Sequence, residues 1–156
     1  MATTEAQPST IYFNSEYRHG VDGKRRVQIP SKWRPVDAQN IEYTLVVWPK
    51  GVGNENCLLA LPDEEMKALA AKLKVMPLSD PKAISLRRLI GKNSEQVFLD
   101  KAGRICLPEK MAQAAAITDE AVLIGLVNAF ERWNPARYEA MSKVDEANSS
   151  EAFGLI

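Results

Sequence analysis

Two short stretches of the chain place an aspartate four residues before an arginine. Asp22 precedes Arg26, and Asp100 precedes Arg104. A carboxylate and a guanidinium at this spacing can hydrogen-bond across a tight turn. The planar fork of arginine also fits phosphates and the edges of guanine bases. Each pair can therefore brace a turn, contact nucleic acid, or do both.

The first of these stretches is basic within a neutral chain. The sequence has 156 residues, with 20 Lys and Arg against 20 Asp and Glu. Residues 18–34 nevertheless hold six basic residues and one acid, Asp22, which gives a local net charge of +5. A solvated loop braced by an ion pair is the simplest interpretation of one such turn. Its recurrence favours a shared function, and contact with nucleic acid fits the charge.

Both turns belong to an internal repeat. Residues 22–30 recur 78 positions later as residues 100–108, with Asp, Arg, two apolar positions and Pro all in register. The helix-opening prolines Pro62 and Pro135 are 73 positions apart, because the first copy has a longer loop at residues 49–56. Each copy predicts two strands around a charged turn, a short helical turn, two more strands and a helix.

The apolar pattern locates the elements that must position the turns. Helices are predicted over residues 62–75 and 80–91 and from Pro135 to about Val144. The predicted strands span residues 26–29, 43–48, 57–61, 96–99, 105–107, 121–126 and 130–133. The predicted organisation is a disordered extension at 1–12, a repeat at 13–64, a helical connection at 65–93, a repeat at 94–137, and a C-terminal helix with a flexible tail at 138–156.

Neither copy is large enough to bury much apolar surface alone, so the halves are expected to complete one another around a pseudo-two-fold axis. The tight turn is expected to need a positive φ at Gly103. Arg25 stands at the matching position of the first turn. Either the backbone is strained at Arg25, or Gly23 takes over the bend.

The composition excludes several classes of protein. With 46% apolar and 26% charged residues, the chain fits neither a disordered nor a disulfide-stapled protein, and no apolar run is long enough to span a membrane. The opening residues lack the features of an export signal, which predicts a cytoplasmic protein with buried, reduced thiols at Cys57 and Cys106. His19 is the only histidine, and no phosphate loop or catalytic triad is present. We therefore expect no enzyme, metal site, cofactor or small-molecule substrate.

The motifs in both copies resemble those of the MraZ family of bacterial transcriptional regulators, over roughly residues 13 to 140. The second copy matches through residues 99–105 and the Phe-Glu-x-Trp segment at 130–133. The matching residues of the first copy are Phe13, Tyr17, His19, Asp22, Lys24, Arg26, Ile29, Pro30 and Arg34. The first copy departs from the family at Ser15 and Arg25, where the family usually has glycine.

The resemblance implies an α+β, mostly β fold. Two tandem AbrB-like swapped-hairpin repeats would form one pseudo-two-fold, β-barrel-like body with flanking helices. It also implies a sequence-specific DNA-binding regulator, a repressor, of the division and cell-wall operon that contains its own gene. The expected partners are double-stranded DNA with short direct repeats and further copies of the chain in a ring, with no membrane and with nucleoid association.

The family's DNA contacts transfer to Arg26 and, in the second copy, to Arg104. Asp22, Asp100 and Gly103 are expected to shape the turns. The local charge adds Lys24, Arg25, Lys101 and Arg18 to the predicted DNA-binding residues, with Lys24 and Arg25 positioning phosphates. The alternative function is a structural or protein-binding ring, an antitoxin-like module whose tail at residues 145–156 grips a partner.

Overall fold

The computed structural model describes residues 10–35 and 41–156. Two single turns of 3-10 helix, Ser31–Trp33 and Val52–Asn54, accompany the regular elements. The strands are β1 (Glu16–Gly20), β2 (Arg26–Gln28), β3 (Glu42–Trp48), β4 (Cys57–Pro62), β5 (Ser94–Phe98), β6 (Arg104–Cys106), β7 (Glu120–Gly125) and β8 (Phe130–Trp133). The helices are α1 (Asp63–Lys74), α2 (Pro81–Lys92), α3 (Glu109–Ala114), α4 (Pro135–Ala147) and α5 (Ser149–Phe153).

The two copies exchange their first strands. Six strands form one antiparallel sheet in the order β1-β7-β8-β4-β3-β5, and β2 pairs with β6 as a separate two-stranded ribbon. Strand β1 of the first copy pairs with β7 of the second, with Glu16 opposite Ile124. Strand β5 pairs with β3 in the equivalent register, with Ser94 opposite Val46. The predicted mostly β, α+β class is confirmed, and the described strands form two sheets.

The ribbon and the six-stranded sheet share one core. Val27 and Ile105 face each other at the centre of the ribbon and are fully buried. They join a core cluster that includes Trp33 and Phe130, whose ring centroids are 5.0 Å apart. Because this core holds both central ribbon residues, it fixes the ribbon, and with it the charged turns at its ends, against the rest of the protein.

The Phe-Glu-x-Trp segment, strand β8, lies in the interior. Arg132 is fully buried with its guanidinium 5.5 Å from the centre of the Phe130 ring, and burial lowers its pKa to about 10. On the other face of the strand, Glu131 accepts hydrogen bonds from Trp133 Nε1 at 2.9 Å and Cys57 Sγ at 3.8 Å. Burial raises the pKa of Glu131.

Polar side chains cap the helices where the sequence predicts their starts. Asp80 accepts a hydrogen bond from Lys82 N at 2.9 Å ahead of α2, and Asn134 accepts one from Arg137 N at 3.1 Å ahead of α4. Both helices then begin with a proline, which suits the first helical position.

Two expectations differ from the structure. The tail after Val144 is helical over most of its length, since α4 continues to Ala147 and α5 follows, and no proline interrupts the helices there. Cys106 is exposed and only Cys57 is buried, because Cys106 alternates with the buried Ile105 along β6. The predicted N-terminal extension lies outside the described residues as far as position 9. None of the helices in the described part of the chain is long and apolar enough to cross a bilayer.

Candidate nucleic-acid interface

In the first turn, residues 22–26, one aspartate organises the backbone. Asp22 Oδ1 accepts hydrogen bonds from the backbone N–H of Lys24 at 2.9 Å and of Arg26 at 2.8 Å. Its other oxygen, Oδ2, accepts from Arg26 Nε at 2.6 Å. The carboxylate therefore fixes both the turn and the direction in which the Arg26 side chain leaves it.

The second turn, residues 100–104, repeats this construction. Asp100 Oδ1 accepts from the backbone N–H of Ala102 and of Arg104, both at 2.9 Å, and Oδ2 accepts from Arg104 Nε at 3.1 Å. Hydrogen bonds from these backbone N–H groups lower the pKa of Asp22 and of Asp100, the largest contribution coming from Arg26 and Arg104 respectively. Both carboxylates are consequently ionised at neutral pH and both braces persist.

The turns also share an unusual backbone conformation. Gly103 has φ 80°, and Arg25 at the matching position has φ 60°. The suggestion that Gly23 takes over the bend is wrong. Arg25 is held in the left-handed region because its N–H donates to Asp22 O at 2.9 Å and its Nε donates to Leu107 O at 3.0 Å. Ser15, the other departure from the family glycines, has φ 79°.

The ribbon, strands β2 and β6, presents both arginines on one face. Arg26 lies opposite Cys106, and Arg104 lies opposite Gln28. These four residues alternate with the buried Val27 and Ile105, so they share the outer face. With a rise of about 3.3 Å per residue and about 4.8 Å between strands, the Cα atoms of the two arginines are roughly 8 Å apart.

Each turn is held by the strand of the other copy. Leu107 N donates to Arg25 O at 2.8 Å, and the equivalent Ile29 N donates to Gly103 O at 2.8 Å. Side chains repeat the exchange, with Gln28 Nε2 donating to Ala102 O at 3.0 Å and Cys106 Sγ donating to Lys24 O at 3.2 Å. The two turns thus form one structural unit with pseudo-two-fold symmetry.

The remaining predicted cations are placed differently. Lys24 and Lys101 are exposed in their turns. Arg18 instead lies on β1 and pairs with Glu139 at 2.5 Å and Glu120 at 3.4 Å, hydrogen bonding that raises its pKa. Lys24 and Lys101 therefore lie on the same turns as the arginines. Arg18 lies on a different strand, where two glutamates neutralise its charge.

One further arginine touches the second turn. A Cβ atom added to Gly103 would lie 2.1 Å from Arg34 Nη1 and 2.7 Å from Arg34 Cζ. Arg34 follows the 3-10 turn after β2, and its guanidinium covers Gly103, which is buried. In the sequence Arg34 belongs to the basic stretch around the first turn, and no local pattern indicates that its side chain reaches the second turn.

The geometry defines a class of protein in which a duplicated chain presents two braced, basic hairpin turns on one ribbon. Comparison with known proteins identifies the family. Residues 92–153 match the family model described as "MraZ protein, putative antitoxin-like". Within residues 10–35 and 41–156, no group of three or more His, Cys, Asp or Glu side chains is placed to hold a metal ion.

Several proteins named transcriptional regulator MraZ are similar over most of their length. The Herpetosiphon aurantiacus protein is 36% identical over 137 residues, which cover 86% of this chain and 91% of the relative. Those of Clostridium tetani and Desulfitobacterium hafniense are 35% and 32% identical, covering 81% and 92% of this chain and 84% and 96% of theirs. This chain belongs to the MraZ family, as the motifs of both copies predict.

Proposed function

We propose that this protein is a sequence-specific DNA-binding transcriptional regulator that uses the two turns to bind its operator. The observation that carries the proposal is the pair of identically braced arginines, Arg26 and Arg104, on one outer face. In each brace Nε is the bonded nitrogen, so four further N–H donors of each guanidinium remain for phosphates or base edges. The names of the relatives support the same function.

The reach of the two arginines suits a short DNA element. Their Cα atoms are roughly 8 Å apart, which corresponds to about two steps of 3.4 Å along a DNA strand. One chain would therefore read only a few base pairs. An operator built from several short direct repeats, each bound by one subunit, gives enough sequence information for specific recognition.

The charge of one chain is small for tight binding. The first turn has a net charge of +2 and the second +1. Three phosphate contacts would lose about 40-fold in affinity between 50 and 200 mM salt. A ring of subunits offsets this, because linked sites raise affinity by about 100-fold to 10,000-fold. We therefore infer a ring-shaped homo-oligomer.

Exposed apolar side chains support self-association. Val75 and Leu78 follow α1, and Leu86 and Leu89 project from α2; all four are exposed. Exposed apolar side chains that recur over a short stretch of the chain, here within residues 75–89, are typical of a contact between protein chains. They lie in the helical connection between the two copies, so subunits can join there without covering the turns of the ribbon.

The same proposal includes a regulatory target and a location. We propose that the protein represses the division and cell-wall gene cluster that contains its own gene, by occupying repeats upstream of it. Such a repressor acts in the cytoplasm in association with the nucleoid. It needs no catalytic group, cofactor or small-molecule substrate, and has no contact with a membrane.

A structural or protein-binding ring is the second candidate, favoured by the antitoxin-like description of the matching family model. Its contact surface would be the C-terminal segment, where Phe153, Leu155 and Ile156 are exposed. Such a module would bind a protein partner and would show no salt-sensitive preference for one DNA sequence.

The double variant R26A/R104A tests the proposed function. Each arginine that reads a base contributes about 1 to 3 kcal/mol, so the pair should weaken binding by at least about 30-fold. Gel shifts with the region upstream of its own gene, at two salt concentrations, measure this loss, and native mass spectrometry measures assembly. The matched control is K143A, which removes an exposed charge from α4, outside both the turns and the proposed subunit contact. Unchanged binding by R26A/R104A would exclude the turns as the DNA-binding surface.

A further inference from the structure

We propose that Arg34, a residue of the first copy, binds DNA as part of the second turn. Its guanidinium has the role there that the guanidinium of Arg25 has in the first turn. The inference rests on the proposed function. It assigns to the second turn a cation that lies far from it in the sequence, and it adds to the positive φ of Gly103 a second reason why a side chain at that position is unfavourable.

The contact at Gly103 is the first observation. Arg25 and Gly103 are equivalent in the repeat, and both have positive φ. The position that a Cβ atom would take at Gly103 is 2.1 Å from Arg34 Nη1. The Arg34 guanidinium therefore occupies the position at which a side chain on residue 103 would begin, the position equivalent to the Cβ atom of Arg25 in the first turn.

The counterpart of Arg34 is the second observation. Ala112 is the residue 78 positions after Arg34, and it lines the same surface cleft as Arg25. In the first turn the large residue, Arg25, is on the turn itself, and Ala112 across the cleft is small. In the second turn the residue on the turn is Gly103, and the large residue beside it is Arg34. Each turn thus has one arginine at this position, which comes from the turn itself in the first case and from the other copy in the second.

Packing alone does not account for Arg34. Its Nε is buried and has no hydrogen-bond partner among the residues that the structure describes. A buried donor without a partner lowers stability, and an apolar side chain would cover Gly103 without that loss. A charged group at this position is therefore better explained by what lies outside the protein.

The charges of the two turns lead to the same conclusion. Residues 22–26, which include Arg25, have a net charge of +2, and residues 100–104 have +1. Adding Arg34 to the second turn raises it to +2. With Arg34 included, the two ends of the ribbon present equal charge to a DNA duplex.

The experiment moves this arginine from position 34 to position 103. R34A removes it, and G103R introduces an arginine that clashes with Arg34. R34A/G103R places the arginine on the second turn itself, where the end of the flexible Gln28 side chain, 2.9 Å from the new Cβ position, must still move aside. The probe is the duplex that the wild-type protein enriches most strongly from a random-sequence pool. We expect R34A to weaken binding about tenfold and to lower the salt slope by about 1, the value for one phosphate contact. The double variant should bind within about threefold of wild type.

The controls separate this inference from the proposed function. K143A should bind as wild type does, because Lys143 is an exposed residue of α4, outside the ribbon and outside the proposed subunit contact. If R34A binds like K143A, Arg34 does not contribute to the DNA surface. If R34A/G103R binds no better than R34A, an arginine at position 103 cannot replace Arg34, and the proposed equivalence of the two arginines is refuted. The comparison of R34A with the double variant holds even where G103R alone does not fold. If R26A/R104A also binds as wild type does, the proposed function itself fails.

Discussion

Replacing Arg25 by glycine separates the charge of the first turn from its backbone conformation. The arginine has φ 60°, which costs about 1 to 2 kcal/mol for a residue with a Cβ atom. Glycine removes that cost. It also loses the hydrogen bond from Arg25 Nε to Leu107 O, about 1 kcal/mol, and adds about 0.5 to 1 kcal/mol of backbone entropy to the unfolded chain. These contributions nearly cancel, so R25G should unfold within about 1 kcal/mol of wild type.

DNA binding should respond quite differently. R25G lowers the net charge of the first turn from +2 to +1. The loss of one phosphate contact reduces the slope of log K against log salt by about 0.9 per chain. We therefore expect a protein of nearly unchanged stability that binds DNA more weakly, most clearly at low salt.

Urea denaturation and fluorescence anisotropy over a series of salt concentrations measure the two effects separately. R25K is the matched control, because it keeps the charge and the positive φ but loses the Nε hydrogen bond. It should be less stable than R25G while retaining more of the DNA affinity. If R25G lost more than about 3 kcal/mol of stability, or bound DNA with an unchanged salt slope, Arg25 would be a structural residue and would make no phosphate contact.

Two further predictions concern the body that supports the turns. G125A should destabilise the protein by about 2 to 4 kcal/mol in urea denaturation, because the new Cβ atom would lie 2.1 Å from the backbone oxygen of Phe13 and break that segment's hydrogen bonds to the β7–β8 hairpin. G20A, where the nearest atom is 3.9 Å away, should cost much less, and equal losses would contradict this explanation. E131Q should stabilise the protein at neutral pH: burial raises the pKa of Glu131, so the wild type loses stability as pH rises through that value. Thermal melting should show a smaller gain for E131Q at acidic pH, and a gain that did not change with pH would refute the assignment.

Local patterns were sufficient to predict most elements and both turns. The segment at 130–133 forms β8 with the predicted bounds, and α2 starts at Pro81, one residue after the predicted start of that helix at Asp80. These features depend on alternation, capping and turn residues within a few positions. The repeat itself predicted the pseudo-two-fold relation, because two similar copies that cannot fold alone must complete one another.

Other features depend on contacts that a local pattern does not contain. The ion pairs of Arg18 join it to Glu120 and Glu139, which lie more than 100 positions away. The contact of Arg34 with Gly103 joins residues 69 positions apart, and it depends on the exchange of strands between the two copies. The charge of both arginines could be read from the sequence, but the surface to which each belongs could not.

The exchange also limits how the interface could have arisen and how it can be altered. Arg25 O in the first turn accepts from Leu107 in the second copy, and Gly103 O in the second turn accepts from Ile29 in the first. A single copy would leave these carbonyl groups without their strand partners and its half of the ribbon core exposed. Neither turn can therefore keep its shape without the other copy. Substitutions in one turn that displace its backbone should alter DNA contacts at both, whereas substitutions that remove only a side-chain charge should act at one.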